Sequence, residues 1–406
     1  VPGWWVSISS AFFYATILFV RIAYCTNVRL PSERAHGHQI AQVSAALDAL
    51  GHEMTVYAPL RRNPVKEIFN DYYNVSDSVL LRYIRVFDPI NRWWIPGPFS
   101  LWLLNYLIRP ELKRDIEVMN PELLYTRAPA LLGTLLSTGV PVILELHSLP
   151  RINRILFADR CNRCAMVVCL TNAMHETLLS WGIDETKLMT EGDGVDLHRF
   201  EVQHDPQAMK DLLELPKDRL IVGYAGRLKT LGMEKGVKYL LESLAQLKPS
   251  KRFFGFIIGG PDGDTEEYRR MAVKLGLTAD DVRFTGEVPA SHIPGMLAAC
   301  DMFTMPFPDL PHYRHHMSPL KMFEYMAAKR PIITSDLPTI RDVLSEKHAY
   351  FCTPGDTASL TKAITHVADN PAEAKAKVEE VSRLVTHYSW EKRMERILIA
   401  AGFPQP

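Results

Sequence analysis

The chain has 406 residues, 47% of them hydrophobic and 23% charged, with 46 Lys plus Arg set against 46 Asp plus Glu. That composition excludes wholesale disorder and a multi-span membrane protein. The balanced charge removes the bulk attraction on which a nucleic-acid binder draws, so no nucleic-acid partner is expected. At about 150 residues per domain, the length predicts two domains.

Along the chain, Trp4 to Val20 is largely apolar but lacks a basic lead. Ile17–Cys25 (ILFVRIAYC) reads as a buried first strand, which leaves too few apolar residues ahead of it for a membrane span of about 20. Residues 1–16 stay open between native structure and an anchor. Gln39–Leu50 has apolar positions at helical spacing and ends at Gly51, and Met54–Pro59 is the second strand. Arg92–Arg114 then gathers Trp93, Trp94, Phe99, Trp102 and Tyr106 between basic residues. It is either core, or a face that lies on a membrane interface or cradles a lipid-linked acceptor. Leu123–Arg127, Pro141–His147 and Ala165–Thr171 continue the strands. The six cysteines sit mostly in apolar runs, as reduced core thiols of a cytoplasmic protein do. Cys161-x-x-Cys164 with Cys169 lacks a fourth ligand at finger spacing, so no metal is expected there.

Glu201–Leu220 is polar and weakly helical, and a second strand series follows: Leu220–Gly226, Phe253–Gly260, Val282–Gly286, Met302–Phe307 and Pro331–Ser335. Strands alternating with helical patterns are the mark of parallel βαβ units. The prediction is an α/β chain of two Rossmann-like, doubly wound parallel-sheet domains facing each other across a cleft. Residues 1–205 form the first domain and 206–384 the second, with a C-terminal helix in 385–406 packing back on the first. Ligands of open parallel sheets collect beyond the carboxyl ends of the strands, so the chemistry should lie in loops after strands.

Ser318–Pro338 carries most of it. Ser318 suits an N-cap and Pro319 the first helical position, which would aim the amides of Leu320 and Lys321 at an anion. Lys321 and Glu324 are three apart and share a face, one to meet phosphate and the other to accept from sugar or ribose hydroxyls. A capped helix with a surface ion pair is the plainer explanation of the same spacing. Arg227 and Lys235, in the loop after Leu220–Gly226, are a fork and a point charge for a diphosphate. His147 ends a strand at the cleft edge, and Gly37 precedes a helix where a ligand could approach the backbone. Asp262-Gly-Asp264 is explained as a turn, and His312, His315 and His316 as loop contacts, so neither is assigned a metal.

These segments resemble family 4 of the glycosyltransferases, which have the GT-B fold, from about Arg21 to Trp390. RIAYCTNVRLPSERAHGHQIAQ is similar to the family's first strand and donor-facing loop, EGDGVDLHRF (Glu191–Phe200) to its inter-domain segment, YAGRL…EKG to its phosphate loop, and SPLKMFEYMAAKRPIITSD to its donor motif. The resemblance implies that Arg227, Lys235 and Lys321 bind the donor diphosphate, that Glu324 contacts ribose or sugar, that His147 faces the donor sugar and that Gly37 approaches the phosphates. Where many members have Glu-x7-Glu, this chain has His316 in the first position, and Asp193 stands where Asn is usual. The implied reaction is sugar transfer from a nucleoside-diphosphate-sugar to a glycan or lipid-linked acceptor, with retention and without metal or cofactor. Peripheral contact with the cytoplasmic membrane face through Trp93, Trp94, Phe99 and Trp102 goes with it. An epimerase on the same fold and a non-catalytic nucleotide-sugar-binding protein are the alternatives.

Overall fold

The computed structural model describes residues 19–90, 92–150, 153–202, 204–230 and 232–403. Residues 1–16, and the start of the strand expected from Ile17, lie outside them. Seven strands form the first sheet: β1 (Arg21–Cys25), β2 (Glu53–Pro59), β3 (Leu80–Ile84), β4 (Leu123–Thr126), β5 (Val142–Leu146), β6 (Met166–Cys169) and β7 (Leu188–Thr190). Their order is β3-β2-β1-β4-β5-β6-β7, with every neighbouring pair parallel. Helices cover both faces of such a sheet, so its central strands are continuous apolar runs instead of alternating ones. β5 is buried from end to end, and so is β1 after Arg21.

β8 (Leu220–Ala225) opens the second series. A short antiparallel hairpin, β9 (Lys229–Thr230) with β10 (Met233–Glu234), follows it. β11 (Phe253–Ile258), β12 (Val282–Phe284), β13 (Met302–Met305), β14 (Ile332–Ser335) and β15 (Tyr350–Cys352) complete a parallel sheet ordered β12-β11-β8-β13-β14-β15. Strand order reverses between β1 and β4 in one sheet and between β8 and β13 in the other. Each reversal opens a crevice at the strand ends.

Two expectations change in detail. The helix expected from Gln39 begins a turn earlier and spans Ala35–Ala49. The aromatic stretch is not wholly core: most of it is the helix Gly97–Met119, which turns Leu104, Ile108, Leu112 and Ile116 inward. Phe99, Trp102 and Tyr106 face outward and stack with ring centres 5.3 and 5.7 Å apart.

The chain passes between the sheets twice, and the two passages meet where the Val195 amide donates to the Tyr388 carbonyl at 2.9 Å. After the return, the helix Trp390–Ala400 lays Trp390, Met394, Ile397 and Leu398 into the core that holds Ile22 and Tyr24 of β1 and Ile40 of the first helix. The last turns of the sequence thus complete the first sheet's hydrophobic layer.

Candidate active site

The second sheet's crevice is built by the loops after β8 and β13. Gly226 and Arg227 leave β8, and the β9–β10 hairpin returns the chain to Lys235 and Gly236. Gly236 has φ 95°, and a Cβ there would sit 1.9 Å from the Pro306 carbonyl oxygen, so only glycine lets the hairpin close on the loop after β13. Tyr313, in the short helix Pro311–His315 that also carries His312 and His315 in place of the expected loop, secures the hairpin by donating its hydroxyl to the Glu234 carbonyl at 2.8 Å.

Lys321 reaches into the same place from the start of the helix Leu320–Ala327. It is only 6% exposed, and its Nζ has no hydrogen-bond partner among the described residues. The ammonium instead lies 3.4 Å from the centre of the Tyr224 ring and 5.7 Å from that of Phe307, a cation–π seat. Burial, and next the charge of Lys235, hold Lys321 well below the ordinary lysine range. Lys235 is itself pushed down to about 8, first by burial and then by Arg227. His312 is lowered by burial and by Lys235. Arg227 is thus near enough to Lys235, and Lys235 to Lys321, for each pair to repel, and no carboxylate forms an ion pair with any of the three among the described residues. A cation cluster without counter-ions, running from exposed Arg227 through half-buried Lys235 to buried Lys321, is poised for an anion.

Glu324, a turn after Lys321, is partly buried; burial raises its carboxyl, and Arg199 and Lys321 pull it back. Arg199, from the inter-domain segment, is a residue that the motif reading quoted without giving it a role. His316 presents an Nδ1 with no partner among the described residues, and burial followed by His312 and His315 lowers its ring.

Two site expectations are corrected. Ser318 is not the helix N-cap: Pro319, in an extended conformation, holds that position, and the helix begins at Leu320 without a side-chain cap. The Ser318 hydroxyl instead accepts from the Asp193 amide at 2.8 Å, tying the donor helix to the inter-domain segment. Gly37 lies inside the first helix, not ahead of it. The close approach it permits is made by the protein itself, because a Cβ would fall 2.1 Å from the Tyr73 hydroxyl. That hydroxyl accepts from the Ser32 amide and donates to the Ser32 carbonyl, both at 2.7 Å.

In the first sheet, His147 follows β5. Its Nε2 pairs with Glu145, and its Nδ1 lies 3.4 Å from the Gln39 amide nitrogen. An amide N–H can only donate, so Nδ1 accepts and the proton sits on Nε2. Burial and then Arg127 lower the ring, which keeps it neutral. Gln39 donates to Asp193 at 2.5 Å and accepts from Arg127 at 2.6 Å. Glu145 also accepts from Tyr125 and, at 3.1 Å, from Arg393. Glu145, His147 and Asp193 offer ligand atoms within 4.8 Å of one another and so have the composition of a metal site. Arg393, Tyr125 and Gln39 already occupy the oxygens, however, and the buried guanidinium supplies the compensating charge. The sequence does carry a signal for this network. A Glu inside the apolar run PVILELH needs a partner, and Arg393 is the one charge on the buried stripe of its helix.

Elsewhere, Cys161, Cys164 and Cys169 are buried free thiols; burial pushes Cys164 up to about 12 and Cys169 to about 11, as expected of core side chains. Asp262 and Asp264 lie in the first turn of the helix Asp262–Lys274.

Two family models match the two halves: Glycosyltransferase Family 4 over residues 37–199, and Glycosyl transferases group 1 over residues 219–370. The chain belongs to the family 4, group 1 glycosyltransferases. The 2-deoxystreptamine glucosyltransferase of Streptomyces kanamyceticus is 26% identical over 46% of either chain. The putative teichuronic acid biosynthesis glycosyltransferase TuaC of Bacillus subtilis is 23% identical over 86% of this chain and 88% of that one. The chain spans about half the length of the first curated relatives it matches, 46% and 56% of the first two. Among solved structures, sucrose-phosphate synthase from Thermosynechococcus elongatus superposes with a TM-score of 0.72 at 17% identity, over 94% of this chain and 100% of the other. Anabaena HepE in complex with UDP gives 0.71 at 15% identity, again over 94% and 100%. The two-sheet architecture of this family 4 chain is the GT-B fold.

Proposed function

We propose that this protein transfers a sugar from a nucleoside-diphosphate-sugar to a glycan or lipid-linked acceptor. The observation that carries the reading is the set of Arg227, Lys235 and Lys321, three cations without counter-ions among the described residues, in the crevice between β8 and β13. A diphosphate supplies the missing charge. HepE, a neighbour in fold, is bound to UDP in its structure. As the bond from the anomeric carbon to the diphosphate breaks, negative charge grows on the leaving oxygen, and fixed cations in a dry site stabilise it more than water does. Glu324, its carboxylate sustained by Arg199 and Lys321, accepts hydroxyl hydrogen bonds from the donor. Neutral His147 faces the sugar from the other sheet. Retention of configuration and independence of metal are drawn from the family. His316, in place of the family's first Glu, leaves the donor sugar open.

The acceptor side of the proposal includes the aromatic face. Trp93 is 96% exposed, and Trp94, Phe99 and Trp102 are each more than half exposed. No helix among the described residues is long and apolar enough to cross a membrane. A stacked, outward aromatic ridge suits peripheral contact at the cytoplasmic membrane face.

The test is a set of single variants. Arg227→Ala, Lys235→Ala and Glu324→Ala melt cooperatively like the parent and lose on the order of a hundredfold or more in turnover each. Parent-like rates in all three reject the assignment. A thermal-shift screen of nucleoside diphosphates and their sugars identifies the donor, because a ligand at a hundred times its Kd stabilises by about 2.7 kcal/mol.

A further inference from the structure

Beside His147, on the side of the first sheet, opens a cavity of about 590 Å³. Arg109 of the helix Gly97–Met119, Arg127 after β4 and Arg160 of the helix Arg154–Asn162 all line it, and no carboxylate among the described residues does. Arginines elsewhere on this molecule find acids: Arg341 pairs with Asp336 at 2.7 Å, and Arg396 with Glu191 at 2.6 Å. Among the described residues, the three at the cavity do not. Arg109 makes only a long 3.4 Å bond to the Ala130 carbonyl, and Arg127 donates to neutral Gln39. Arg160 lies flat against Gly133, where a Cβ would come within 3.0 Å of its guanidinium carbon. Three like charges converging on one hollow repel one another unless an anion joins them. The wall between them is apolar, with Leu146, Leu156 and Phe157.

We propose that this cavity receives a phosphate group carried by the acceptor, so that the acceptor is a phosphorylated sugar or a phosphate-linked lipid and not a neutral glycan. The inference rests on the glycosyl-transfer reading, which assigns the donor diphosphate to the other sheet and leaves this cavity, on the far side of His147, to the acceptor. Planar guanidinium forks arriving from three separate elements match the several oxygens of a tetrahedral phosphate better than the two of a carboxylate.

The experiment measures binding by calorimetry at fixed ionic strength, with the donor site saturated by the nucleoside diphosphate that the thermal screen selects. One arm compares farnesyl monophosphate with farnesol; the other compares glucose 6-phosphate with glucose and glucuronate. Each is run on the parent protein and on Arg109→Gln/Arg160→Gln, which spares Arg127 and its contact with Gln39. In at least one arm the phosphate compound binds at least tenfold tighter than its neutral or carboxylate counterpart. The double variant loses that margin while its affinity for the nucleoside diphosphate is unchanged. Preference for the farnesyl compound over the sugar phosphate makes the source a lipid, and the reverse makes it a soluble sugar. Equal binding of phosphate and counterpart, no detectable phosphate binding, or an unaltered margin in the double variant overturns the proposal. If no nucleoside diphosphate binds, the glycosyl-transfer reading fails by itself, and the phosphate arms are read without it.

Discussion

Arg393 and Glu145 stand 248 residues apart in sequence, and both are shut off from solvent; yet the guanidinium lies 3.1 Å from the carboxylate in the centre of the first domain. Burial pushes the Glu145 carboxyl up, but Arg393 and then His147 outweigh it and hold the group well below its usual range. Through Glu145 the C-terminal helix fixes the tautomer of His147, so the chain's last element positions a residue of the cleft. Removing one member strands a buried charge, at a cost of about 3–5 kcal/mol. Arg393→Met should lose that much in urea unfolding. The sign with pH is definite: a lowered carboxyl contributes stability above its unfolded value and loses it as pH falls through the folded one. The variant's acid unfolding limb is therefore flatter than the parent's, and parallel limbs count against the pair.

Lys321 makes the opposite prediction. Its ammonium is buried with an aromatic face but no acceptor, and an unsatisfied buried polar group costs about 1–3 kcal/mol. Lys321→Met should raise the melting temperature of the ligand-free protein while it weakens nucleoside-diphosphate binding by tenfold or more. Stability and binding moving in the same direction would contradict a lysine kept for a ligand.

Binding should also take up protons. Lys235 sits at about 8 in the free protein, lowered by burial and by Arg227, and a bound diphosphate raises that value again. Below pH 8 the lysine is already charged and binding is at full strength. Above it the affinity falls, by at most about tenfold per pH unit from this group. Calorimetry at pH 8 in buffers of different ionisation enthalpy reads the uptake directly. Lys235→Met removes its part, whereas a pH-independent affinity between 7 and 9 in the parent would exclude the coupling.

What the sequence discloses and what it hides separate along physical lines. Strands buried on both faces, such as β5, β8 and β11, announce themselves as apolar runs. β3, β7 and β15 lie at or next to sheet edges, are short or half exposed, and leave no such run; Leu80 of β3 is 44% exposed. The positions of Arg227 and Lys235 after β8, and of Lys321 in the helix that follows β13, are legible because an expectation that ligands of parallel sheets gather after strand ends needs only local sequence. Ser318 misleads because Ser-Pro is a good helix start by propensity, while its hydroxyl is engaged by the Asp193 amide from the other passage of the chain. Gly37 with Tyr73 is a long-range contact to which no spacing rule points, whereas Glu145 and Arg393 are each marked by a lone charge on a buried stripe.

Gly37 supplies the last test, because its two roles predict different measurements. If its value were ligand access alone, alanine would leave the fold intact and weaken donor binding. The structure instead places the Tyr73 hydroxyl 2.1 Å and the Ser32 carbonyl 2.9 Å from the added carbon. Tyr73 is half buried and held at both ends of Ser32, so it cannot swing aside without losing two hydrogen bonds. Overpacking of this kind costs about 1–3 kcal/mol. Gly37→Ala should lose that much in urea unfolding, and adding Tyr73→Phe, which deletes the nearest atom, should return part of the loss although the single Tyr73→Phe change is itself destabilising. That non-additivity is the signature of two side chains competing for one space. Strictly additive losses in the double variant would show that the glycine answers to something other than Tyr73.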